Sequence, residues 1–337
     1  MASIRDVARL AQVSTATVVR VLNGGATVSP ARTERVMKAV AELDYVTNGV
    51  AASLSRGSTR LLGLLVSDIA NPFTAQVARG LEDEAVRHGY QVLIASSDFD
   101  REREAAMLAS FARRTVDAVA LLSADGATES VSRLVRSGMP TVFVDRRPPN
   151  TPAIPLVRTD SLSAAREAVR YLIGLGHTDL GMICGPVSMP TAAQRAAGFR
   201  EACAEAGLVV RPECLREGFL GTEGGYAAMC ELLDLPRRPT AVFSFNNMLA
   251  IGALRAVRER GVRIPADLSL VTFDDMELFP FVDPPLTAIA QPAYEIGAEA
   301  GRVLFDLLEN GADAERPDVV LSTELRIRES CAPVGGV

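Results

Sequence analysis

From Leu61 onward, short apolar runs alternate with amphipathic stretches, and this alternation constrains the fold more than any other feature of the chain. The runs lie at 61–67 (LLGLLVS), 91–96 (QVLIAS), 118–123 (AVALLS), 141–145 (TVFVD), 180–184 (LGMIC), 241–245 (AVFSF) and 269–273 (SLVTF). Continuously apolar strands between helices belong to parallel sheets covered on both faces. Two successive sets of such units imply two Rossmann-like lobes. Ligands of open α/β sheets bind beyond the carboxyl ends of the strands. That rule alone nominates 68–73, 145–146, 185–195, 246–247 and 274–275.

Length and composition narrow the class. A chain of 337 residues suits two or three domains, and 48% apolar with 23% charged residues is the composition of a folded soluble protein. No apolar run approaches the roughly 18–20 residues of a membrane span. Arg5, Asp6 and Arg9 interrupt any signal-peptide pattern, so a cytoplasmic protein without a membrane partner is expected. The five cysteines (184, 203, 214, 230 and 331) are scattered without a C-x-x-C pair and read as free buried thiols, not as zinc ligands. Gly174-Leu175-Gly176-His177 follows a helix and reads as its C-terminal stop, not as a dinucleotide fingerprint. Only His88 and His177 are available, in no metal or triad spacing, and the adjacent Asp274 and Asp275 should point apart after their strand. No enzyme, cofactor or metal is expected.

Charge separates the ends of the chain. Residues 1–60 carry +4, whereas the remainder carries −10, so a basic head precedes an acidic body. Ser3 and Asp6 form a capping box, and Ile4, Val7, Ala8 and Ala11 follow on one helical face. Gln12-Val13 makes a turn. Ser14 caps a second helix with an inner side of Val18, Val21 and Leu22. Ser29-Pro30 opens a third, with Val36, Val40 and Leu43 inside. This is a helix-turn-helix pattern, although a three-helix bundle with a solvated basic side has the same periodicity. If the second helix enters the major groove, Thr15, Ala16 and Arg20 point away from its apolar face and become the base readers.

Ile4-Arg5-Asp6-Val7-Ala8, Val13-Ser14-Thr15-Ala16-Thr17-Val18 and Arg20-Val21-Leu22-Asn23 closely resemble the head of the LacI/GalR (lactose repressor) family. The resemblance runs on through Tyr45, Asn48 and Ala51-Ala52-Ser53-Leu54 and along essentially the whole chain. It implies an all-α helix-turn-helix head on an α/β body of the periplasmic-binding-protein type. The expected division is a head at 1–46, a hinge helix and linker at 47–60, and an effector-binding and dimerisation domain at 61–337. Lobe 1 would span about 61–159 and 291–320, and lobe 2 about 160–290 and 321–330, with crossings near 158–161, 288–292 and 318–323.

The function so implied is that of a repressor binding a pseudo-palindromic operator as a homodimer under the control of a small molecule. The DNA-contacting residues would be Ser14, Thr15, Ala16, Thr17, Arg20, Asn23, Asn48, Ala51 and Leu54, with Leu54 wedging into the minor groove. Residues 48–56 form too short a helix to be stable alone, so they would order on DNA. By motif match the effector residues are Phe73, Asp145, Thr191, Arg195, Phe219, Asn246 and Asp274. Carboxylates, an Arg fork and a Phe suit a sugar, sugar alcohol or sugar acid, although each residue could instead cap a helix or pack. The sequence departs from the family at Val19 (commonly Ser), at Met189 (Arg in purine-sensing relatives) and at Asn247 (usually Asp). The tail after Arg328 has no heptads, which argues against a coiled-coil tetramer. A sugar-binding or sugar-modifying protein with an incidental basic head is the alternative, but a transport-type binding protein would carry a signal peptide and no such head.

Overall fold

The structure, a computed structural model, describes residues 2–22, 28–45, 57–122, 128–151, 153–311 and 316–335. The expected DNA contacts Asn23, Asn48, Ala51 and Leu54 lie outside the described residues.

The head has helices α1 (Ile4–Leu10), α2 (Thr15–Leu22) and α3 (Pro30–Glu42) around a core of Val7, Ala8, Ala11, Val18, Val36 and Ala39. The Ser3–Asp6 capping box is formed in both directions and stops α1 from fraying at its first turn. Gln12 takes the left-handed conformation (φ 51°) that reverses the chain before Ser14, whose hydroxyl accepts from the Thr17 amide at 3.2 Å. Ala39 is a fully packed position that the helical spacing did not nominate, and Val40 is only half-buried.

The body begins with β1 (Leu61–Val66), α4 (Pro72–Arg87), β2 (Gln91–Ser96), α5 (Arg101–Ser110), β3 (Ala118–Leu122), α6 (Thr128–Arg136), β4 (Thr141–Val144) and β5 (Leu156–Thr159). There follow α7 (Ser161–Gly174), β6 (Leu180–Ile183), α8 (Pro190–Glu205), β7 (Leu215–Arg216), α9 (Gly221–Leu233), β8 (Ala241–Ser244), α10 (Asn247–Glu259) and β9 (Ser269–Phe273). The last elements are β10 (Thr287–Ala290), α11 (Ala293–Asn310), β11 (Val319–Leu321) and β12 (Glu324–Arg326). One sheet runs β11-β5-β4-β3-β1-β2, all parallel. The other runs β12-β10-β9-β8-β6-β7, parallel except where β12 meets β10. The chain passes between the sheets after β5, again after β10 to reach α11, and finally between β11 and β12.

The strand expectations need three corrections. The runs at 61–67, 141–145, 180–184 and 241–245 each end one residue earlier, because the next residue already turns into the loop beyond the sheet, and residue 123 of the run 118–123 lies outside the described residues. β5, β7, β10, β11 and β12 were not expected; at two to four residues each, they show no readable period. β2 is not covered on both faces. It is an edge strand, with Leu93 44% and Ile94 39% exposed.

Each lobe is stiffened by helix pairs in backbone contact. A Cβ on Gly80 would lie 1.9 Å from the Tyr294 carbonyl oxygen, and one on Gly297 would lie 1.9 Å from that of Val77, so α4 and α11 touch through bare glycines. Gly225 and Gly252 do the same for α9 and α10, at 2.1 Å from Leu249 O and 1.9 Å from Thr222 O. Side chains are excluded at these crossings, which brings apolar neighbours such as Leu81 and Leu304 into full burial.

Candidate functional site

Two surfaces carry the candidate residues. On the head, Ser14, Thr15, Ala16 and Arg20 are exposed and Thr17 is half-buried, while Val18 on the opposite side of α2 is fully buried. The hydroxyls of Ser14 and Thr17 lie 2.9 Å apart, leaving Thr15, Ala16 and Arg20 to face outward from α2.

The second surface is the cleft between the two sheets. Its wall is built from strand ends: Ser67, Asp68 and Asn71 after β1, Asp145 and Arg146 after β4, Met189 and Thr191 after β6, Phe245 and Asn246 after β8, and Asp274 after β9. Asn71 caps α4, its Oδ1 accepting from the Phe73 amide at 3.0 Å with Pro72 in the first turn. Asn246 caps α10 through its bond from Leu249 N at 2.9 Å. Asp145 and Asp274 hold corresponding places, each following the third strand in its sheet's order, and both are left-handed (φ 67° and 65°). A non-glycine side chain rarely adopts that backbone, and Asp tolerates it better than most. The bend ends each strand and sets a carboxylate at the cleft wall.

The charges there are paired and buried. Arg195 is 3% exposed; it donates to the Phe245 carbonyl at 2.8 Å, lies 3.5 Å from Asp274 Oδ2, and stacks over the Phe273 ring at 3.5 Å. Gln291, in the second crossing, donates to Asp274 Oδ1 at 2.6 Å and accepts from the Thr159 hydroxyl at 2.5 Å. Burial raises the Asp274 carboxyl above its ordinary range, against the pull of Arg195 and Gln291 in the other direction. In lobe 1, Arg146 donates to Asp145 Oδ2 and to the Ser67 hydroxyl, both at 3.0 Å. Burial lowers the Arg146 pKa, and Asp145 counters it. Among the described residues that line the cleft, two buried side-chain atoms have no partner: Asp145 Oδ1 and Thr191 Oγ1. Across the cleft, Asn247 Nδ2 donates to Asn71 Oδ1 at 3.0 Å, a direct bond between the lobes. The cavity between the lobes is about 50 Å³.

Of the seven expected effector residues, Phe73, Asp145, Thr191, Arg195, Asn246 and Asp274 line this cavity. Phe219 is half-buried outside the lining, and its neighbour Leu220 stands there instead. Gln291, Thr159 and Ser67 escaped the sequence reading. Gln291 sits at the end of β10, and recognising that strand would have nominated it. Asp274 and Asp275 do point apart: Asp275 faces away to Arg326 and Arg328, at 3.0 and 2.7 Å. Among the described residues no group of His, Cys, Asp and Glu is placed to hold a metal, and no helix is long and apolar enough to cross a membrane.

Residues 3–48 match the bacterial regulatory proteins of the lacI family, and residues 169–331 match a periplasmic binding protein-like domain. Over 329 residues the chain is 37% identical to the HTH-type transcriptional repressor CytR of Escherichia coli (strain K12), covering 98% of this chain and 96% of that one. The chain belongs to the LacI family. It is a helix-turn-helix DNA-binding transcriptional repressor with a two-lobed effector domain. Among solved structures it is similar to the transcriptional regulator CelR in complex with cellobiose (32% identity, TM-score 0.73, 98% and 100% of the two chains covered). It is also similar to the lac repressor dimer bound to operator and the anti-inducer ONPF (27% identity, TM-score 0.85, 98% and 99% covered). Arg195, on α8, and Asp145, directly after β4, belong to the lobes of different sheets and both line the cleft.

Proposed function

We propose that this repressor binds its operator as a homodimer, and that its lobes close over a neutral, hydroxyl-rich small molecule such as a sugar or sugar alcohol. The observation that carries the ligand class is the pair of unpartnered buried atoms, Asp145 Oδ1 and Thr191 Oγ1. A carboxylate oxygen only accepts, so the occupant must donate to it, and a hydroxyl both donates to Asp145 and accepts from Thr191. Leaving such groups unpaired costs about 1–3 kcal/mol each, which a fitting ligand would return as affinity. The cleft is lined by three aspartates (68, 145, 274) and two arginines (146, 195), so there is no surplus positive charge to hold an acid or a phosphate. This disfavours the sugar acids that the residue types alone allow.

A cavity of about 50 Å³ is far below the roughly 300 Å³ at which small-molecule sites begin, so the lobes must part to admit a ligand. Opening breaks the Asn71–Asn247 bond, and ligand binding shifts the population back toward closure. The operator-bound relative is a dimer. Here Leu93, Ile94, Leu278 and Phe281 are large apolar side chains that this chain leaves exposed, as a second copy would require. Residues 47–60 would carry the lobe movement to the heads.

The test is a thermal-shift screen of neutral sugars, sugar alcohols, sugar acids and purines, followed by operator binding with each hit. Neutral polyols should raise the melting midpoint and change operator affinity. A shift produced only by acids or purines would overturn the assignment of the ligand class.

A further inference from the structure

The segment that joins the body to the hinge is fastened to lobe 1 by one carboxylate. Asp117, half-buried just before β3, accepts four hydrogen bonds from three consecutive residues. Oδ1 takes the Thr59 amide and the Thr59 hydroxyl, both at 2.8 Å; Oδ2 takes the Ser58 hydroxyl at 2.5 Å and the Arg60 amide at 3.0 Å. The backbone adds to this. Asp117 N donates to Leu61 O at 2.8 Å, and Gln91 N donates to Arg60 O at 3.0 Å, so residues 58–61 are tied to the starts of β2 and β3 together. The Arg60 side chain donates to the His88 carbonyl at 3.2 Å and lies 5.1 Å from the Tyr90 ring centroid. Tyr90 in turn meets Phe305 of α11 edge-on at 5.2 Å.

The local backbone needs this support. Arg60 has φ 57°, a left-handed conformation that a long side chain does not adopt without being held. Burial pushes the Asp117 carboxyl up, but the bonds from Ser58, Thr59 and Arg60 outweigh it and keep the group below its ordinary value. At neutral pH it is therefore a pure acceptor facing four donors, with the added strength of a charged partner.

We propose that Asp117 is a positioning residue for operator binding: it fixes the point and direction at which the chain enters lobe 1, so that a lobe movement displaces residues 47–56 instead of being absorbed as slack in the linker. Asp117 touches no DNA in this scheme; it acts through residues 58–60. The proposal rests on the reading of the chain as an operator-binding regulator, and the experiment separates the two. The full-length protein first selects a duplex from a random library; failure to enrich any sequence would count against operator binding itself and not against Asp117.

With a selected duplex in hand, Asp117→Asn keeps the side-chain volume but removes the charge and turns an amide N–H toward the donors. Its affinity for that duplex should fall about ten- to a hundredfold. Affinity for random DNA of the same length, which rests on phosphate contacts by the head, should stay within about twofold. Ser58→Ala with Thr59→Val removes the two hydroxyl donors and leaves β3 untouched; it should show the same selective loss. Combining all three changes should add little, because the groups form one network. The proposal is overturned if both variants bind the selected duplex like the wild type, or if selected and random DNA weaken equally. It is also overturned if the loss occurs only in Asp117→Asn and is accompanied by a lowered melting midpoint of the body.

Discussion

Replacing Arg195 with Met tests the charge arrangement of the cleft most directly. The substitution keeps an unbranched apolar stem but deletes a guanidinium that donates to Phe245 O at 2.8 Å, lies 3.5 Å from Asp274 and stacks on Phe273 at 3.5 Å. Removing one partner of a buried ion pair costs about 3–5 kcal/mol, because the other charge is left without compensation. Gln291 still bonds Asp274 at 2.6 Å, which places the expected cost near the lower end, about 3 kcal/mol. That is about a hundredfold in the unfolding equilibrium.

The cost should depend on pH in a defined direction. Asp274 already titrates above its ordinary value of 3.8 in the folded protein, and Arg195 is a group that lowers it. Losing Arg195 raises it further. A carboxyl whose folded pKa is raised contributes fully below the unfolded value and loses that contribution as pH rises through the folded value. The deficit of Arg195→Met should therefore be largest at high pH and shrink as the pH falls and Asp274 takes up a proton. Urea unfolding of wild type and variant at pH 4, 6 and 8 reads it. A deficit below about 1 kcal/mol, or one equal at pH 4 and pH 8, would refute the uncompensated-charge argument.

Arg20→Ala should weaken binding to a selected operator by about 1–3 kcal/mol and leave random DNA nearly unaffected; equal losses on both would remove its base-reading role. Asn247→Asp replaces the donor of the cross-lobe bond with an acceptor facing Asn71 Oδ1, so the ligand-free protein should become more open. Small-angle scattering should then give a larger radius of gyration, and an unchanged profile would show that this bond does not hold the lobes. Gly297→Ala forces a methyl to 1.9 Å from the Val77 carbonyl oxygen and should cost about 1–3 kcal/mol in urea unfolding. A neutral result would mean that α4 and α11 separate more easily than their contact implies.

The parts legible in the sequence were those with long or redundant signals. The head could be read because its capping box, turn and apolar faces agree over forty or so residues, and the packing of Val7, Val18 and Val36 follows from that spacing. The seven longer runs marked most of the sheet framework, and the rule of strand ends led to Asp145, Asn246 and Asp274 without any knowledge of the packing. What stayed hidden depends on contacts remote in sequence. β10 and β11 have four and three residues, and they exist because a neighbouring strand supplies their bonds. Gln291 is uninformative until β10 places it 2.6 Å from Asp274. Asp117 is one acid among many in the sequence, and only the fold brings residues 58–60 to it. Phe219 and Leu220 differ by a single step along the chain, too fine a distinction for a motif to make.

The glycine-to-carbonyl contacts of α4 with α11 and of α9 with α10 have a mechanical consequence. Helices that meet backbone to backbone have no side-chain layer through which to slide, so neither lobe can deform gradually. Compliance is left to the three thin crossings, near residue 160, at 291–292 and at 322–323. Bending at these crossings costs less than deforming either lobe, so they set how the lobes move. Because Gln291 lies in one of those crossings and bonds to Asp274, whatever occupies the cleft acts directly on the bearing about which the protein moves.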